Sequence, residues 1–177
     1  MARKFALPVS DKVDSQEICF VPKMSYREFL REHCHVSAGP GEVVDKTGKL
    51  LGRHQGIPYY TLGQRGGLGI AAGYPLYVIN IDARRNRITV GKRDDACARQ
   101  FVVEKTHFVS STIKKKVVLQ VKIRYNHKEE KALISPYGSK LKVVFQKPQF
   151  AITPGQSAVF YDGDIVVGGG IIERVLN

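Results

Sequence analysis

Beyond Gly39-Pro40-Gly41 the chain is cut into short runs by recurring turn residues, and that punctuation constrains the fold more than any other feature. Tyr137-Gly138-Ser139, Pro154-Gly155 and Asp162-Gly163-Asp164 separate runs with a period of two, the spacing of a half-buried strand. Six strands are predicted, at residues 101–104, 117–124, 131–135, 141–145, 157–161 and 165–172, and short strands at this spacing suggest a small closed barrel. Upstream, residues 42–45 and 50–52 around a Lys46-Thr47-Gly48-Lys49 turn read as a hairpin, and 77–81 with 87–90 as two further strands. Residues 52–73 are too rich in glycine for regular structure. Tyr59-Tyr60 and Leu68-Gly69-Ile70 argue that this loop is nevertheless ordered.

The first part of the chain follows a different pattern. Ser25 is a plausible helix cap, with Glu28 completing a capping box, so residues 26–34 are expected to form a short helix. Residues 2–7 form a helix-like scrap closed by Pro8, with no core of their own, and read as the end of something larger. The expected organisation is mainly β: a short helical stub at 1–35, a small central, barrel-like β domain at 36–99, and a six-stranded β-barrel at 100–177.

Lys and Arg number 28 against 16 Asp and Glu, a formal net charge of +12. Such a balance favours a polyanionic partner, most commonly nucleic acid, although charge alone gives only non-specific affinity. Eight Tyr and eight Phe supply aromatics for base stacking. No apolar run approaches the ~20 residues of a membrane-spanning helix. Three cysteines at irregular spacing (Cys19, Cys34, Cys97) do not make a disulfide framework. The expectation is a cytoplasmic protein with no membrane partner.

Several segments have chemical potential. In Asp14-Ser15-Gln16-Glu17-Ile18-Cys19-Phe20, Cys19 can be a nucleophile, a persulfide carrier or a metal ligand, or simply a buried, inert thiol. His33-Cys34-His35 invites a metal reading, but adjacent helical residues diverge by about 100° and no CxxC or HxxxH partner follows, so no metal site is expected. In the glycine-rich loop, Gln64 and Arg65 can donate to phosphate or base edges, or the loop merely closes a barrel corner. Arg84, Arg85, Arg87, Lys92, Arg93, Lys114-Lys115-Lys116, Lys122, Arg124 and Lys128 form either a phosphate-tracking stripe along one face or a solvated surface. Arg124-Tyr125, a cation beside a stacking ring, is the sharper element. Gln156 enters a strand with an amide able to read a base or a backbone. Gly168-Gly169-Gly170 suggests a bulge or the close approach of another backbone.

Taken together, Asp14-Ser15-x-x-Ile18-Cys19-Phe20, Gly52-x-His54-x-Gly56, Tyr60-Thr61-x-Gly63-Gln64-Arg65-x-Gly67-Leu68-Gly69, Pro154-Gly155-Gln156-Ser157-Ala158-Val159 and Gly168-Gly169-Gly170-Ile171-Ile172 resemble, in order, the C-terminal half of the tRNA-specific 2-thiouridylases. The resemblance implies an N-terminal ATP-pyrophosphatase domain followed by a central β domain and a C-terminal barrel. It also implies a reaction in which ATP adenylates the 2-oxygen of the wobble uridine of tRNA and a persulfide sulfur, delivered by a donor protein, replaces it. Cys19 matches the second cysteine of that family, which releases the sulfur by forming a disulfide with the first. Arg124, Tyr125 and Gln156 match its tRNA contacts. The family's Ser-Gly-Gly-x-Asp-Ser phosphate loop and first catalytic cysteine are not among these 177 residues. The chain is therefore expected to be a fragment that binds no ATP or other cofactor and is inactive alone. The alternative is a stand-alone basic RNA-binding module, and an iron–sulfur variant of the chemistry through Cys19 also stays open.

Overall fold

A computed structural model describes residues 26–33, 39–109 and 111–176. Residues 2–7, Cys19, Ser25 and Cys34, singled out in the sequence, lie outside these. The chain divides into two units, one ending at Gly39 and one running from Pro40. In the first, α1 (Tyr26–His33) is a two-turn helix with Glu28 in its first turn, where a carboxylate suits the exposed amide end.

The second unit is almost wholly β and holds two cores. β1 (Gly41–Val44), β2 (Leu50–His54), β3 (Tyr77–Asp82) and β4 (Arg87–Gly91) make a four-stranded sheet in the order β2-β1-β4-β3. The hairpin β1–β2 closes where Asp45 Oδ1 accepts from the backbone N–H groups of Thr47 and Lys49 at 2.8 and 3.0 Å. β3 and β4 are antiparallel, whereas β1 and β4 run parallel, with Val43 opposite Ile88. That parallel pairing needs the long crossover between β2 and β3. The glycine-rich loop supplies it and folds Tyr60, Leu68 and Leu76 onto Val43, Val78, Ile88 and Val90. The loop is thus ordered by its own apolar residues.

A short 3-10 turn, Arg93–Ala96, carries the chain into a closed six-stranded barrel. Its strands are β5 (Cys97–Phe108), β6 (Val117–Lys122), β7 (Glu130–Tyr137), β8 (Lys140–Phe150), β9 (Ser157–Asp162) and β10 (Ile165–Leu176), in the order β10-β5-β8-β7-β6-β9. Phe101, Phe145 and Phe160 are fully buried among Val121, Ile123, Ile134, Val143 and Ile172. The alternating burial of β8, Leu141, Val143 and Phe145 inward, matches the period of two read from the sequence.

The glycine triplet is both bulged and crowded. Pairing of β10 with β5 slips between Gly169 and Ile171. A Cβ on Gly168, Gly169 or Gly170 would lie 2.5–2.6 Å from the carbonyl oxygen of His107, Ala158 or Glu104, respectively. Only hydrogen fits there, so the barrel can curl tightly at this seam.

The two ends of the barrel differ. One carries the β5–β6 loop with exposed Lys114-Lys115-Lys116, and the other carries the β6–β7 and β8–β9 connections together with the entry from the sheet. The lysine triplet and Arg124 are therefore at opposite ends of the barrel, separated by the length of β6.

Candidate nucleic-acid interface

At the sheet-proximal end of the barrel, two turns face each other across a groove of about 880 Å³ lined by Lys122, Arg124, Tyr125, Asn126, Gln156 and Tyr161, among others. The first turn follows β6. Buried Ile123 anchors it, Tyr125-Asn126 form its tip, and the His127 N–H donates to the Arg124 carbonyl at 3.2 Å. The second is Thr153-Pro154-Gly155-Gln156. Proline before a glycine with φ of 86° suits a type II turn, closed by the Gln156 N–H on the Thr153 carbonyl at 3.3 Å. It is tied to β10 by the Gly155 N–H on the Ile172 carbonyl and the Ile172 N–H on the Gln156 carbonyl, both at 2.8 Å. Residues 124, 125 and 156, far apart in sequence, thus line one groove.

Their side chains are in different states. Tyr125 is 88% exposed, so its ring face is open for stacking. Gln156 places its side-chain Oε1 in a buried position with no hydrogen-bond partner, an arrangement that costs about 1–3 kcal/mol until a donor reaches it. Arg124 is half-buried. Its Nη2 donates to the Phe150 carbonyl at 3.4 Å and to the Ala151 carbonyl, while Nε is buried without an acceptor. Burial lowers its pKa, but its partners are neutral carbonyls, so its positive charge is not cancelled in the groove wall. Lys122 instead pairs with Glu129 at 3.3 Å.

Other sequence candidates have internal duties. Gln64 Oε1 accepts from the Thr61 N–H at 3.0 Å and its Nε2 donates to the Gly66 carbonyl at 2.9 Å, so this amide stitches the loop together. Arg65 is exposed. Arg87 is paired with Glu42 at 2.6 Å. Within Gly52-x-His54-x-Gly56, His54 is 1% exposed, accepts the Gly56 N–H on Nδ1 at 3.0 Å and meets the Asn86 carbonyl with Nε2 at 3.1 Å. The proton therefore sits on Nε2, and the ring packs edge-on against Tyr60. This histidine braces the sheet. Cys97 donates its thiol to the Arg93 carbonyl at 3.6 Å, and burial raises its pKa, which disfavours the reactive thiolate. Among the described residues, no three His, Cys, Asp or Glu side chains gather to hold a metal ion. No helix among them is long and apolar enough to cross a membrane.

Two features had no signal in the sequence. Ala151 holds φ of 50°, and Phe150 is flanked by the Tyr77 ring at 5.6 Å and the Arg93 guanidinium at 4.8 Å. Neither residue type marks such a junction.

These folds are those of β domains found in tRNA-modifying enzymes. Residues 98–172 match the aminomethyltransferase β-barrel domain and residues 27–92 the tRNA methyl transferase PRC-barrel domain. The chain is 47% identical over 176 residues to the tRNA-specific 2-thiouridylase MnmA 1 of Caldanaerobacter subterraneus subsp. tengcongensis, covering 98% of this chain and 48% of that protein. It is 49% identical over 176 residues to MnmA 1 of Thermoanaerobacter sp. strain X514, with the same coverage. It is 46% identical over 175 residues to MnmA of Clostridium acetobutylicum, covering 98% and 49%. The chain belongs to the tRNA-specific 2-thiouridylase family and corresponds to its C-terminal part. It spans about half the length of the curated relatives it matches.

Proposed function

We propose that this chain is the tRNA-holding part of a tRNA-uridine 2-sulfurtransferase. In this reading the groove carries the substrate contacts: Tyr125 stacks on a base, Gln156 receives a hydrogen bond from a base edge or ribose hydroxyl, and Arg124 keeps the wall positive. Cys19 is the cysteine that releases sulfur from the persulfide. ATP belongs to the phosphate loop of the family's N-terminal domain, and a persulfide donor protein supplies the sulfur in the cytoplasm. The wobble uridine is the target base.

The observation that carries this reading is the convergence of Arg124, Tyr125 and Gln156 on one groove. A solvated basic surface has no reason to collect an open aromatic face and an unpaired buried amide oxygen. The test is titration of the chain with unmodified tRNA bearing a wobble uridine, beside duplex DNA, at two salt concentrations. Wild type is expected to prefer tRNA, and Tyr125→Ala and Gln156→Ala to lose that preference. Equal, steeply salt-dependent binding of both polyanions, indifferent to the variants, would reduce the charge of +12 to a non-specific attraction.

A further inference from the structure

Arg124 lines the groove, yet its head group turns from it onto backbone. The carbonyl it holds belongs to Ala151, where several constraints meet. Ala151 has φ of 50°, a left-handed value that residues with a Cβ seldom adopt. Its N–H donates at 2.7 Å to the carbonyl of Ala96, in the 3-10 turn leading out of the sheet. Its carbonyl accepts from Arg124 Nη2 and also from Thr153 Oγ1 at 2.9 Å. On its other side lies the sheet's glycine-rich loop, so close that a Cβ on Gly63 would stand 2.5 Å from the Ala151 Cβ. Phe150, which also offers its carbonyl to Arg124, is the ring clasped by Tyr77 and Arg93. The cation in the groove wall is thus one side chain away from the seam between sheet and barrel.

We propose that Arg124 is a positioning residue: by holding the Ala151 carbonyl it keeps that residue left-handed and seats the Gly63 loop on the barrel, linking the groove to the seam instead of gripping a phosphate itself. The consequence for RNA rests on the function proposed above. The consequence for the seam rests on geometry alone.

The test compares Arg124→Met, which keeps an apolar stem and loses the donors, with Arg124→Met/Ala151→Gly, Ala151→Val and Tyr125→Ala. Amide hydrogen exchange is read at Gly63 and Ala151, whose N–H groups are bonded to Val78 and Ala96, and tRNA affinity is measured in parallel. Arg124→Met is expected to speed both exchanges and weaken tRNA binding, each by about tenfold. Adding Ala151→Gly restores the protection in full and most of the tRNA affinity, the remainder being the lost charge itself, because glycine takes a positive φ without steric cost. Ala151→Val reproduces the defect with the guanidinium intact, and Tyr125→Ala weakens binding with exchange unchanged. A double variant as weak as Arg124→Met on tRNA, with wild-type protection in both, overturns the proposal and makes Arg124 a direct phosphate ligand. If wild type itself binds no tRNA, the RNA reading fails, and the exchange pattern still decides the positioning role: unchanged protection in Arg124→Met overturns it.

Discussion

Replacing Gly169 with alanine tests the steric account of the barrel seam. A Cβ there would lie 2.5 Å from the Ala158 carbonyl oxygen, almost an ångström inside the 3.4 Å at which ordinary contact begins, and 3.3 Å from the Val159 Cα. Both obstacles are backbone of β9, and β10 is also paired to β5 on its other edge, so neither strand can step aside freely. Overpacking of this kind costs about 1–3 kcal/mol, and a backbone obstacle puts Gly169→Ala near the top of that range. Less entropy in the unfolded alanine chain returns about 0.4–1 kcal/mol, leaving a net loss of about 2 kcal/mol. Gly138 is the control. It has φ of 62° with nothing within 4 Å of a built Cβ, so Gly138→Ala costs only the left-handed backbone, about 1 kcal/mol. Asparagine separates the two causes, since it tolerates the left-handed region but is larger than alanine. Urea unfolding should show Gly138→Asn close to wild type and Gly169→Asn worse than Gly169→Ala, with unchanged m-values. A Gly169→Ala midpoint indistinguishable from wild type would refute the crowded-seam account.

Other perturbations probe the remaining parts. His54→Ala removes a buried ring and strands the Gly56 N–H, so the sheet should lose about 2–4 kcal/mol in denaturant titration, and a loss below about 0.5 kcal/mol would contradict its bracing role. Glu173 is held below its ordinary carboxylate pKa of 4.5, first by its hydrogen bond to Lys140 at 2.5 Å. The unfolded chain therefore binds the proton more readily, and this contribution is present above pH 4.5 and fades as pH falls through the folded value. Glu173→Gln should flatten that acid limb of a stability–pH curve; curves that stay parallel would remove the linkage. Cys97, with its raised thiol pKa, should react with iodoacetamide at pH 7.5 more slowly than a free cysteine, and fast labelling at Cys97 itself, located by peptide mass mapping, would show that its thiol is not held as described. Tyr125→Ala should weaken tRNA binding by an amount worth about 1–3 kcal/mol, the range for one base–aromatic stack, with no change in melting temperature.

Much of the architecture could be read locally. Turn chemistry at Tyr137-Gly138-Ser139, Pro154-Gly155 and Asp162-Gly163-Asp164 announces the β7–β8, β8–β9 and β9–β10 connections. Strand ends were less legible. β8 continues to Phe150 through Gln146, Lys147, Pro148 and Gln149, and β10 to Leu176 through Glu173 and Arg174, polar residues that pattern alone assigns to loops. The parallel pairing of β1 with β4 leaves no local trace, because nothing near Val43 names Ile88 as its neighbour. In the groove, Tyr125 and Gln156 were legible as residue types able to stack and to hydrogen-bond. The turn of Arg124 onto Ala151 was not, since it depends on a carbonyl aimed by a left-handed alanine far along the chain. Gln64 stayed ambiguous for the complementary reason: an amide suited to nucleic acid is equally suited to its own loop, where it makes two hydrogen bonds.

The pairing of β5 with β10 has a consequence for the order of assembly. β6, β7 and β8 follow one another by short connections and pair in sequence, so this meander can form from local encounters. The barrel closes only when the β9–β10 hairpin has met β6 on one side and β5 on the other, bringing first and last strands together with Phe101 opposite Val175. Until then β5 and β10 present unsatisfied edges, and the Phe101–Phe145–Phe160 interior lies open to solvent. Refolding should therefore be governed by a late, long-range closure that slows with contact order, leaving a window in which dilution favours native closure over edge-to-edge association with another chain.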